Sequence, residues 1–475
     1  MPTKPKATKN LNELNSADIL NVTRSEIGGT YADQVPLALK EGDEVNGAKV
    51  TKEQSLQSLR GIGDIIMQYQ PLQNAFLSNL VNRIGRVIIT SRLYENPWAG
   101  FKKGLLEYGE TVEEIFVEIA RPYQFNPEKA ETDLFKRRIP DVQAAFHTMN
   151  YQKFYPTTVS NDQLRQAFLS WQGITDLIGR IIEQLYTGAN YDEFLVMKYL
   201  IARCALDGKI STTVIPTVTA DNARSVTTTM VASAKNLSYM SANYNYAGVR
   251  TYTDPRYLYT ILTTELSSIF DVEVLALSFN MDKAELIGRQ IGVDGFGTID
   301  EERLQEIFAD DPNTTYTPFT EDELNSLKSI SGLMVDSDWF MIFDNYYNMT
   351  EVYNAEGLYW NYFYHVWKTF SVSPFSNAIL FTTIAPEITN VTISPTTATV
   401  AKGGTAQFIG TVEGNGLINK KGHFSIAGAV SPGTSISDDG LLIIAADETK
   451  TSYNVLYIAD ADQSKTATAT VTITG

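Results

Sequence analysis

The spacing of apolar and polar residues divides the chain into segments with different predicted structures. Residues 1–60 are rich in Lys, Asn, Thr and Gly and contain only short apolar patches. This composition predicts an extended or partly disordered arm that becomes ordered against a partner. From residue 61 the apolar density rises, and Leu72, Phe76 and Leu80 recur at helical spacing. A folded region is therefore predicted to begin there.

A long hairpin is predicted after this helix. Val87–Thr90 and Glu114–Ala120 are runs of apolar and β-branched residues that fit two strands. The turn and breaker signals between them are Asn96-Pro97, Ala99-Gly100 and Phe101-Lys-Lys-Gly104. Lys102 and Lys103 would then lie at an exposed tip. Two interpretations stay open, a solvated hairpin and a projecting arm that docks on a neighbour.

The clearest helical signal covers Ser160–Tyr186, where apolar residues recur at three and four positions and the first two residues can cap the start. A second helix is predicted over Asp192–Leu206, ended by Asp207-Gly208. Cys204 lies on that helix and is expected to be a buried small hydrophobe rather than a nucleophile.

Residues 210–335 alternate short strands with helices, which indicates an α+β lobe rather than a repeated βαβ series. The predicted strands are Ile210–Ile215 and Tyr257–Thr263, and the predicted helices are about Ala223–Leu237, Val272–Phe279 and Glu301–Phe308. Strands rich in aromatic residues follow at Asp338–Asp344 and Leu358–Val372. Aromatic residues on both faces imply cover on both sides, by helices of the same domain or by another subunit.

Residues 387–475 contain no Trp and little helical periodicity, and Thr, Val, Ile and Gly dominate them. The short alternating runs are Ile388–Ile393, Ala406–Val412, Leu441–Ile444, Asn454–Ile458 and Ala467–Ile473. Gly-containing turns separate these runs. This pattern predicts a small, separate β-sandwich domain.

Composition and charge argue against several classes of function. The net charge is 38 minus 55, or −17, and such a surface repels phosphate backbones, so nucleic-acid binding through a reading groove is disfavoured. One cysteine excludes multi-cysteine metal sites and disulfide frameworks. The basic start is not followed by the apolar run of a secretory signal, and no segment is apolar over enough residues to span a membrane. A cytoplasmic chain without membrane contact is expected.

A search for reactive motifs predicts no catalytic, cofactor-binding or metal site. Gly292–Arg303 has the length of a calcium loop, but only Asp294 stands at a ligand position, and a cation occupies the closing position. We therefore expect a Gly-rich turn that caps the following helix. Gly61-Ile-Gly63 lacks the third glycine of a phosphate loop. His365 is expected to be a hydrogen-bonded histidine within a strand.

Several segments resemble the major capsid proteins of small short-tailed Bacillus-type phages, in the same order over roughly residues 60–475. They are Phe76–Gly85, Asn96-Pro97, Phe101–Gly104, Glu113–Ile115, Ala167–Trp171, Phe279–Met281, Asp338–Met341 and Gly357–Trp367. The resemblance implies the α+β capsid fold of tailed phages, also called the Johnson fold. By that resemblance, Val87–Ala120 would be an extended loop over an adjacent subunit and Ser160–Tyr186 the spine helix. Residues 210–335 would be the axial domain at the five- and six-fold positions.

The C-terminal segment resembles bacterial Ig-like group 2 domains. The matching motifs are Ile393-Ser-Pro395, Lys402-Gly403-Gly404 and Asp439-Gly440-Leu441-Leu442. It departs from that family where Phe424 stands in place of the usual Trp. The implied organisation is an arm over 1–60, a shell domain over 61–386 and an Ig-like sandwich over 387–475.

The implied function is a structural one, without catalysis. The resemblance implies a capsid protein that forms pentamers and hexamers of an icosahedral shell around double-stranded DNA, in the virion, after assembly in the host bacterial cytoplasm. Scaffold and portal proteins are expected partners, and packaged DNA is expected to face the inner surface without sequence-specific binding. The hypothetical assembly contacts are Lys102, Lys103, Gly104, Trp171, Trp360 and Trp367. Lys102 and Lys103 would pair with carboxylates of a neighbour.

Three alternatives belong to other classes of protein. A bacterial cell-surface adhesin with an Ig-like module would need an export signal or anchor. A carbohydrate-active enzyme would need two carboxylates that face each other across a cleft. A head decoration or tail protein would share the Ig-like domain without needing the spine helix and hairpin.

Overall fold

The computed structural model describes residues 16–45, 47–87, 94–106, 111–123, 125, 137–169, 173–270, 289–309, 311, 314, 316–428 and 430–474. Within these residues the helices are α1 (Ser16–Ile27), α2 (Gly29–Gln34), α3 (Lys52–Gln68), α4 (Gln70–Val87), α5 (Asn161–Ala167), α6 (Gly173–Ile182), α7 (Gly188–Leu206), α8 (Ala223–Asn236), α9 (Thr264–Ile269), α10 (Glu301–Phe308) and α11 (Glu321–Lys328).

The strands before the C-terminal segment are β1 (Glu44–Val45), β2 (Ala48–Lys49), β3 (Thr111–Val117), β4 (Val142–Thr148), β5 (Tyr151–Ser160), β6 (Ser211–Val214), β7 (Leu258–Thr263), β8 (Arg289–Val293), β9 (Ile330–Asp336), β10 (Phe340–Asn354), β11 (Tyr359–Val372) and β12 (Ala378–Thr382). The strands of the C-terminal segment are β13 (Glu387–Ser394), β14 (Thr397–Ala401), β15 (Thr405–Gln407), β16 (Ile409–Asn415), β17 (Gly422–Ala427), β18 (Ser435–Ile436), β19 (Leu441–Ile443), β20 (Ser452–Ala459) and β21 (Thr466–Thr474).

The described residues of 1–110, 148–194 and 342–369 form one compact unit. Its sheet has the order β10-β11-β5, and the α1, α3 and α4 helices share a core with α5, α6 and this sheet. Phe76, Phe168 and Tyr362 are buried in that core. Gly63 of α3 permits the close packing, because a Cβ atom there would lie 2.7 Å from the Phe168 side chain. The aromatic strands predicted from the sequence are confirmed as β10 and β11.

The predicted extended arm is wrong for the part of it that the structure describes. Ala17, Ile19 and Leu20 of α1 are buried in the core of this unit, and residues 1–15 lie outside the described residues. The α3 helix begins at a capping box, in which the Thr51 side chain accepts from the Gln54 amide and the Gln54 side chain accepts from the Thr51 amide. Residue 60 therefore lies inside a helix. Helices that bury only a narrow apolar stripe have the polar overall composition of a disordered segment, so composition alone does not reveal them.

The predicted pairing of the hairpin is also wrong. Val87 is the last residue of α4, and residues 88–93 lie outside the described residues. β3 instead forms a two-stranded sheet with β4. Valine costs a helix only a few tenths of a kcal/mol relative to alanine, so β-branched residues alone do not end a helix.

The helix predicted over Ser160–Tyr186 begins where expected but does not run unbroken. Ser160 caps α5 by accepting from the Gln163 amide, and α5 ends at Ala167. Helical backbone is described again from Gly173 and continues through a π-helical turn at residues 183–187 into α7. That turn joins the two helices that the sequence analysis had separated, since a π-turn accommodates an extra residue without ending the helix.

The described residues of 111–147, 195–341 and 370–475 form a second compact unit. Its central sheet has the order β6-β12-β9-β7-β8 and mixes parallel and antiparallel pairs. The predicted lobe elements are confirmed as β6, β7, α8 and α10, and the helix predicted at Val272–Phe279 lies outside the described residues. The end of α7 is confirmed as well, with Gly208 at φ 69° and the Lys209 amide donating to the Cys204 carbonyl at 2.8 Å.

Residues 387–474 within this unit contain only strands and connections among the described positions. The sheets have the orders β13-β16, β14-β21-β20-β17 and β15-β19-β18. Phe408, Leu442 and Val455 are among the buried residues of their own hydrophobic core. The predicted strands are confirmed, except that the run Ala406–Val412 is divided between β15 and β16, which lie in different sheets.

Candidate assembly surfaces

The ribbon, which we define as β3, β4 and the described residues between them, is attached to its own unit by one face. The Ser373 hydroxyl donates to Glu114 at 2.7 Å, and His147 Nε2 lies 3.2 Å from the other Glu114 oxygen. Phe116 stacks on Phe375 with ring centroids 5.5 Å apart. Alternate residues of β3 make these contacts, as the two-residue period of a strand requires. The base of the ribbon is therefore fixed.

The other face of the ribbon presents large apolar side chains to solvent. Ile115, Val117, Val142 and Phe146 are between 51% and 64% exposed. Single exposed apolar residues are ordinary on protein surfaces, but a contiguous group on one ribbon is typical of an interaction surface. This face is therefore a candidate contact with another molecule.

Beyond its two strands the ribbon carries arginine and aromatic side chains. The Glu118 amide donates to the Asp141 carbonyl at 2.9 Å, and the Arg138 guanidinium lies 4.0 Å above the Tyr123 ring. Phe125 is 87% exposed. Tryptophan, tyrosine and arginine are the residues most enriched at the energetic centres of interfaces, and Tyr123 and Arg138 belong to that set.

Lys102, predicted at an exposed tip, is instead partly buried in its own unit. The Lys103 amide donates to the Ile342 carbonyl at 2.9 Å, and the Asp344 amide donates to the Gly104 carbonyl at 3.0 Å. The segment from Lys103 to Gly104 therefore runs alongside β10 and is hydrogen-bonded to it. Gly104 has φ 107°, a conformation that favours glycine.

The ion cluster, which we define as Lys102, Glu193, Asp344 and Lys368, explains why Lys102 turns inward. The Lys102 ammonium lies 2.8 Å from Asp344 Oδ2 and 3.2 Å from Glu193 Oε2. Lys368 contacts Glu193 directly and lies 3.4 Å from Asp344 Oδ1, and Asn96 donates to Glu193 at 2.6 Å. Burial, together with the like charge of Lys102, lowers the pKa of Lys368. Two lysines and two carboxylates therefore contact each other inside one chain.

The predicted tryptophan contacts are divided among different environments. Trp360 is buried beside Tyr353, with ring centroids 5.2 Å apart. Trp367 is half-buried and lies 4.7 Å from the Tyr346 ring. Trp171 lies outside the described residues. Lys103 and Gly104 are exposed in the isolated chain.

Sequence reasoning missed the ribbon as a surface. The alternation of β3 was visible, but its partner begins 25 residues after β3 ends, so the pairing leaves no local signal. The sequence Val142-Gln-Ala-Ala-Phe-His-Thr148 alternates weakly and could have suggested a second strand.

The described residues offer little for metal, membrane or thiol chemistry. No group of three or more His, Cys, Asp or Glu residues in that part of the chain could hold a metal ion, and none of its helices is long and apolar enough to cross a membrane. Asp294, the single candidate calcium ligand, accepts from Lys198 at 2.6 Å. Cys204 is confirmed as buried, and burial raises its pKa to about 12.

Comparison with known proteins identifies the class. The major capsid protein of Bacillus phage B103 is 34% identical over 463 residues, covering 95% of this chain and 92% of that protein. The major capsid protein of Bacillus phage PZA is 33% identical over 438 residues, covering 91% of this chain and 88% of that protein. The capsid structure of Staphylococcus phage Andhra aligns with a TM-score of 0.47 at 16% identity, covering 62% of this chain and 86% of that one. The protein is a structural component of a phage shell and not an enzyme, and the adhesin alternative finds no support.

The family can be stated more narrowly. A family model described as Phi29-like phage major capsid protein matches residues 20–382. The chain belongs to the Phi29-like phage major capsid protein family. The match begins within α1 and ends with β12, so both compact units contribute to it.

Proposed function

We propose that this chain assembles as pentamers and hexamers into a closed icosahedral shell, and that the ribbon is a principal contact between copies. The observation that carries this proposal is a ribbon fixed by one face while the other exposes Ile115, Val117, Val142 and Phe146. A fixed backbone with exposed apolar side chains loses little entropy when it binds, which favours association.

In this proposal two parts of the Johnson fold are assigned to residues other than those inferred from the sequence. The extended loop is the ribbon over 111–148 rather than the segment 87–120. The spine is the helical backbone of α6 and α7, and the lobe within 210–335 is the axial domain. The mixed sheet of that lobe and the exposed face of the ribbon support the assignment.

Some of the contacts inferred from sequence stay in the proposal. Lys103, Gly104 and Trp367 keep exposed surface in the isolated chain and are proposed contact residues. Lys102 and Trp360 would act indirectly, by holding the backbone next to those residues, because both are committed to contacts within their own unit. Trp171 is kept from the sequence analysis alone.

The proposed partners are a scaffold protein during assembly, a portal protein at one vertex and packaged double-stranded DNA on the inner side, after assembly in the host cytoplasm. A net charge of −17 supports a shell that encloses DNA without binding it tightly, because an acidic surface repels phosphate groups.

We further propose that residues 387–474 are a bacterial Ig-like group 2 domain. Strands in three small sheets around a separate core support this assignment. Phe424, in the position usually held by Trp, lies 4.7 Å from the Tyr457 ring and fills part of that core.

The test of the ribbon is a double substitution, Ile115→Ser with Phe146→Ser, in the full chain. Because both side chains are exposed, the unfolding midpoint in urea should stay near wild type, whereas shells seen by negative-stain microscopy and light scattering should fall at least about tenfold in yield. Ile409→Ser with Leu441→Ser is the matched control, since these exposed residues lie outside the ribbon. Wild-type shell yield from the ribbon variant would contradict the proposal.

A further inference from the structure

The β10-β11-β5 sheet has a face without acidic residues, lysine or arginine. Strand alternation and the register that pairs His365 with Phe154 place one set of side chains opposite the buried core of the unit. We call this set the aromatic face, and it consists of Gln152, Phe154, Pro156, Thr158, Tyr346, Asn348, Thr350, Val352, Asn361, Phe363, His365 and Trp367. Asp, Glu, Lys and Arg make up 20% of the chain but none of this set. Depletion of charged residues is typical of the centre of an interface.

Ring contacts connect the three strands of the aromatic face. The Phe154 ring of β5 lies 5.9 Å from the Phe363 ring and 5.9 Å from the His365 ring, both on β11. The Tyr346 ring of β10 lies 4.7 Å from the Trp367 ring of β11. The aromatic side chains therefore form a continuous surface rather than scattered positions, and Trp367, inferred as a contact from the sequence, belongs to it.

This surface is accessible in the isolated chain. Phe154 is 56% exposed, Val352 53% and Tyr346 37%. His365 Nε2 lies 3.2 Å from the Thr350 hydroxyl, so the imidazole is held between two strands. A contiguous exposed face of aromatic and aliphatic side chains is typical of an interaction surface.

The exposed face of the ribbon has a similar chemical character. Its outward side chains are Thr111, Glu113, Ile115 and Val117 on β3 and Val142, Ala144, Phe146 and Thr148 on β4. Glu113 is the single charged residue in that set. On a two-stranded ribbon each strand is an edge, so the Glu113 carboxylate can stay at the margin of a contact. Because burying an unpaired charge is costly, a face without charges favours an occupant of this kind.

The two faces also match in size. β5 pairs with β11 over its 10 residues, which span about 34 Å. The two ribbon strands have 7 residues each and span about 24 Å. A two-stranded ribbon therefore fits within the area of a three-stranded face. Sheets that pack face to face at about 10 Å are an ordinary arrangement in proteins.

We propose that the exposed face of the ribbon packs on the aromatic face of a neighbouring copy. The inference rests on the proposed function of the ribbon and names the surface that receives it. Two unlike surfaces on every copy give a head-to-tail contact, which generates rings when the rotation closes. Self-pairing of the aromatic face would give only a two-fold contact and no pentamer or hexamer. The partner is a second copy, since a shell is built from repeated copies of its capsid protein.

Photo-crosslinking from the aromatic face tests the pairing in the full chain. Phe154→p-benzoylphenylalanine is assembled into shells together with isotope-labelled wild-type chain and irradiated. The linked tryptic peptides should be Gly104–Arg121 and Ile139–Lys153, which contain β3 and β4, and many should carry the label. Tyr239→p-benzoylphenylalanine is the control, because Tyr239 is 72% exposed and lies outside both faces. A Phe154 probe that links to these peptides no more than the control does would overturn the proposal.

Arginines placed on the aromatic face give a second test. Phe154→Arg with Val352→Arg should leave the urea unfolding midpoint near wild type, because both side chains are exposed. Shell yield should fall about tenfold or more, because the ribbon would then bury unpaired charges. Leu37→Arg with Tyr69→Arg is the control, at positions of the same unit that are 60% and 52% exposed. Wild-type yield from the first variant, or an equal loss from the control, would contradict the proposal.

The outcomes separate this inference from the proposed function. If Ile115→Ser with Phe146→Ser abolishes shells but the Phe154 probe links to other peptides, the ribbon is a contact and the aromatic face does not receive it. If every ribbon link joins two unlabelled peptides, the ribbon covers the face of its own chain and the inference is wrong. A probe that links only to an added scaffold protein would also make it wrong. Wild-type shells from the ribbon variant would instead contradict the proposed function itself.

Discussion

The segment 94–106 and the ribbon over 111–148 lie close together in sequence and resemble each other in composition, yet they occupy opposite environments. The first carries Trp98 and Phe101, both buried, and its Lys102 pairs with carboxylates of its own unit. The second exposes apolar side chains and arginines. The difference depends on how much of each segment's apolar surface is buried within the chain. Buried segments stabilise the fold, and segments that expose several large apolar side chains are available for assembly.

The largest expected effect is the loss of one carboxylate from the ion cluster. Glu193→Gln leaves Lys368 buried beside a neutral amide, and breaking a buried pair costs about 3–5 kcal/mol. The free energy of unfolding of the unassembled chain in urea should fall by that amount. Glu113→Gln on the exposed face of the ribbon is the control and should change it by less than about 0.5 kcal/mol. Equal effects would remove the distinction between the two segments.

A smaller effect should distinguish two adjacent lysines. Lys102→Met removes an ammonium that pairs with two carboxylates, and hydrogen bonds to charged groups contribute about 1.5–3 kcal/mol. The side chain is 20% exposed, so we expect the lower end of that range in urea unfolding. Lys103→Met should leave stability within about 0.5 kcal/mol of wild type. If Lys103→Met proved the more destabilising change, the inward position of Lys102 would be wrong.

The smallest effect concerns the Glu448 carboxylate, which is hydrogen-bonded within its own chain. Tyr453 beside Glu448, the Lys450 and Ser431 amides and the Thr434 hydroxyl hold the pKa of Glu448 well below its usual range. A depressed pKa in the folded state gives stability that is present above the unfolded value of about 4.3 and lost as the pH falls below it.

Glu448→Gln should therefore flatten the decrease in thermal midpoint between pH 5 and pH 3. Differential scanning calorimetry of both proteins at the two values measures this change. Asp438→Asn, at an exposed position in the same segment, is the control and should keep the wild-type slope. A Glu448→Gln slope equal to that of wild type would contradict the assignment.

Local signals explain which elements the sequence predicts well. The α10 helix matches its predicted bounds because Asp300 caps it by accepting from the Arg303 amide. The start of α5 at Ser160 and the aromatic strands β10 and β11 follow from similarly local patterns. The capping box formed by Thr51 and Gln54 is an equally local signal, and it predicts a helix start inside the segment that was interpreted as an arm.

The assembly surfaces could not be predicted in the same way, because they depend on contacts between distant residues. Lys102 turns inward because Glu193 and Asp344, remote in sequence, lie beside it. β3 pairs with β4 across a long connection, and the exposure of Phe146 is a consequence of which face binds Phe375 and Ser373. Nothing in the residues themselves marks one segment as internal and the other as external.

Amide hydrogen exchange, measured on the unassembled chain and on assembled shells, tests the contrast between the two segments most directly. The account predicts that the amides of Lys103 and Leu106, which are hydrogen-bonded to β10, are protected in both states. The described residues of the ribbon should become more protected on assembly than they are in the unassembled chain. A ribbon whose exchange does not change while the segment 94–106 becomes protected in shells would contradict the account.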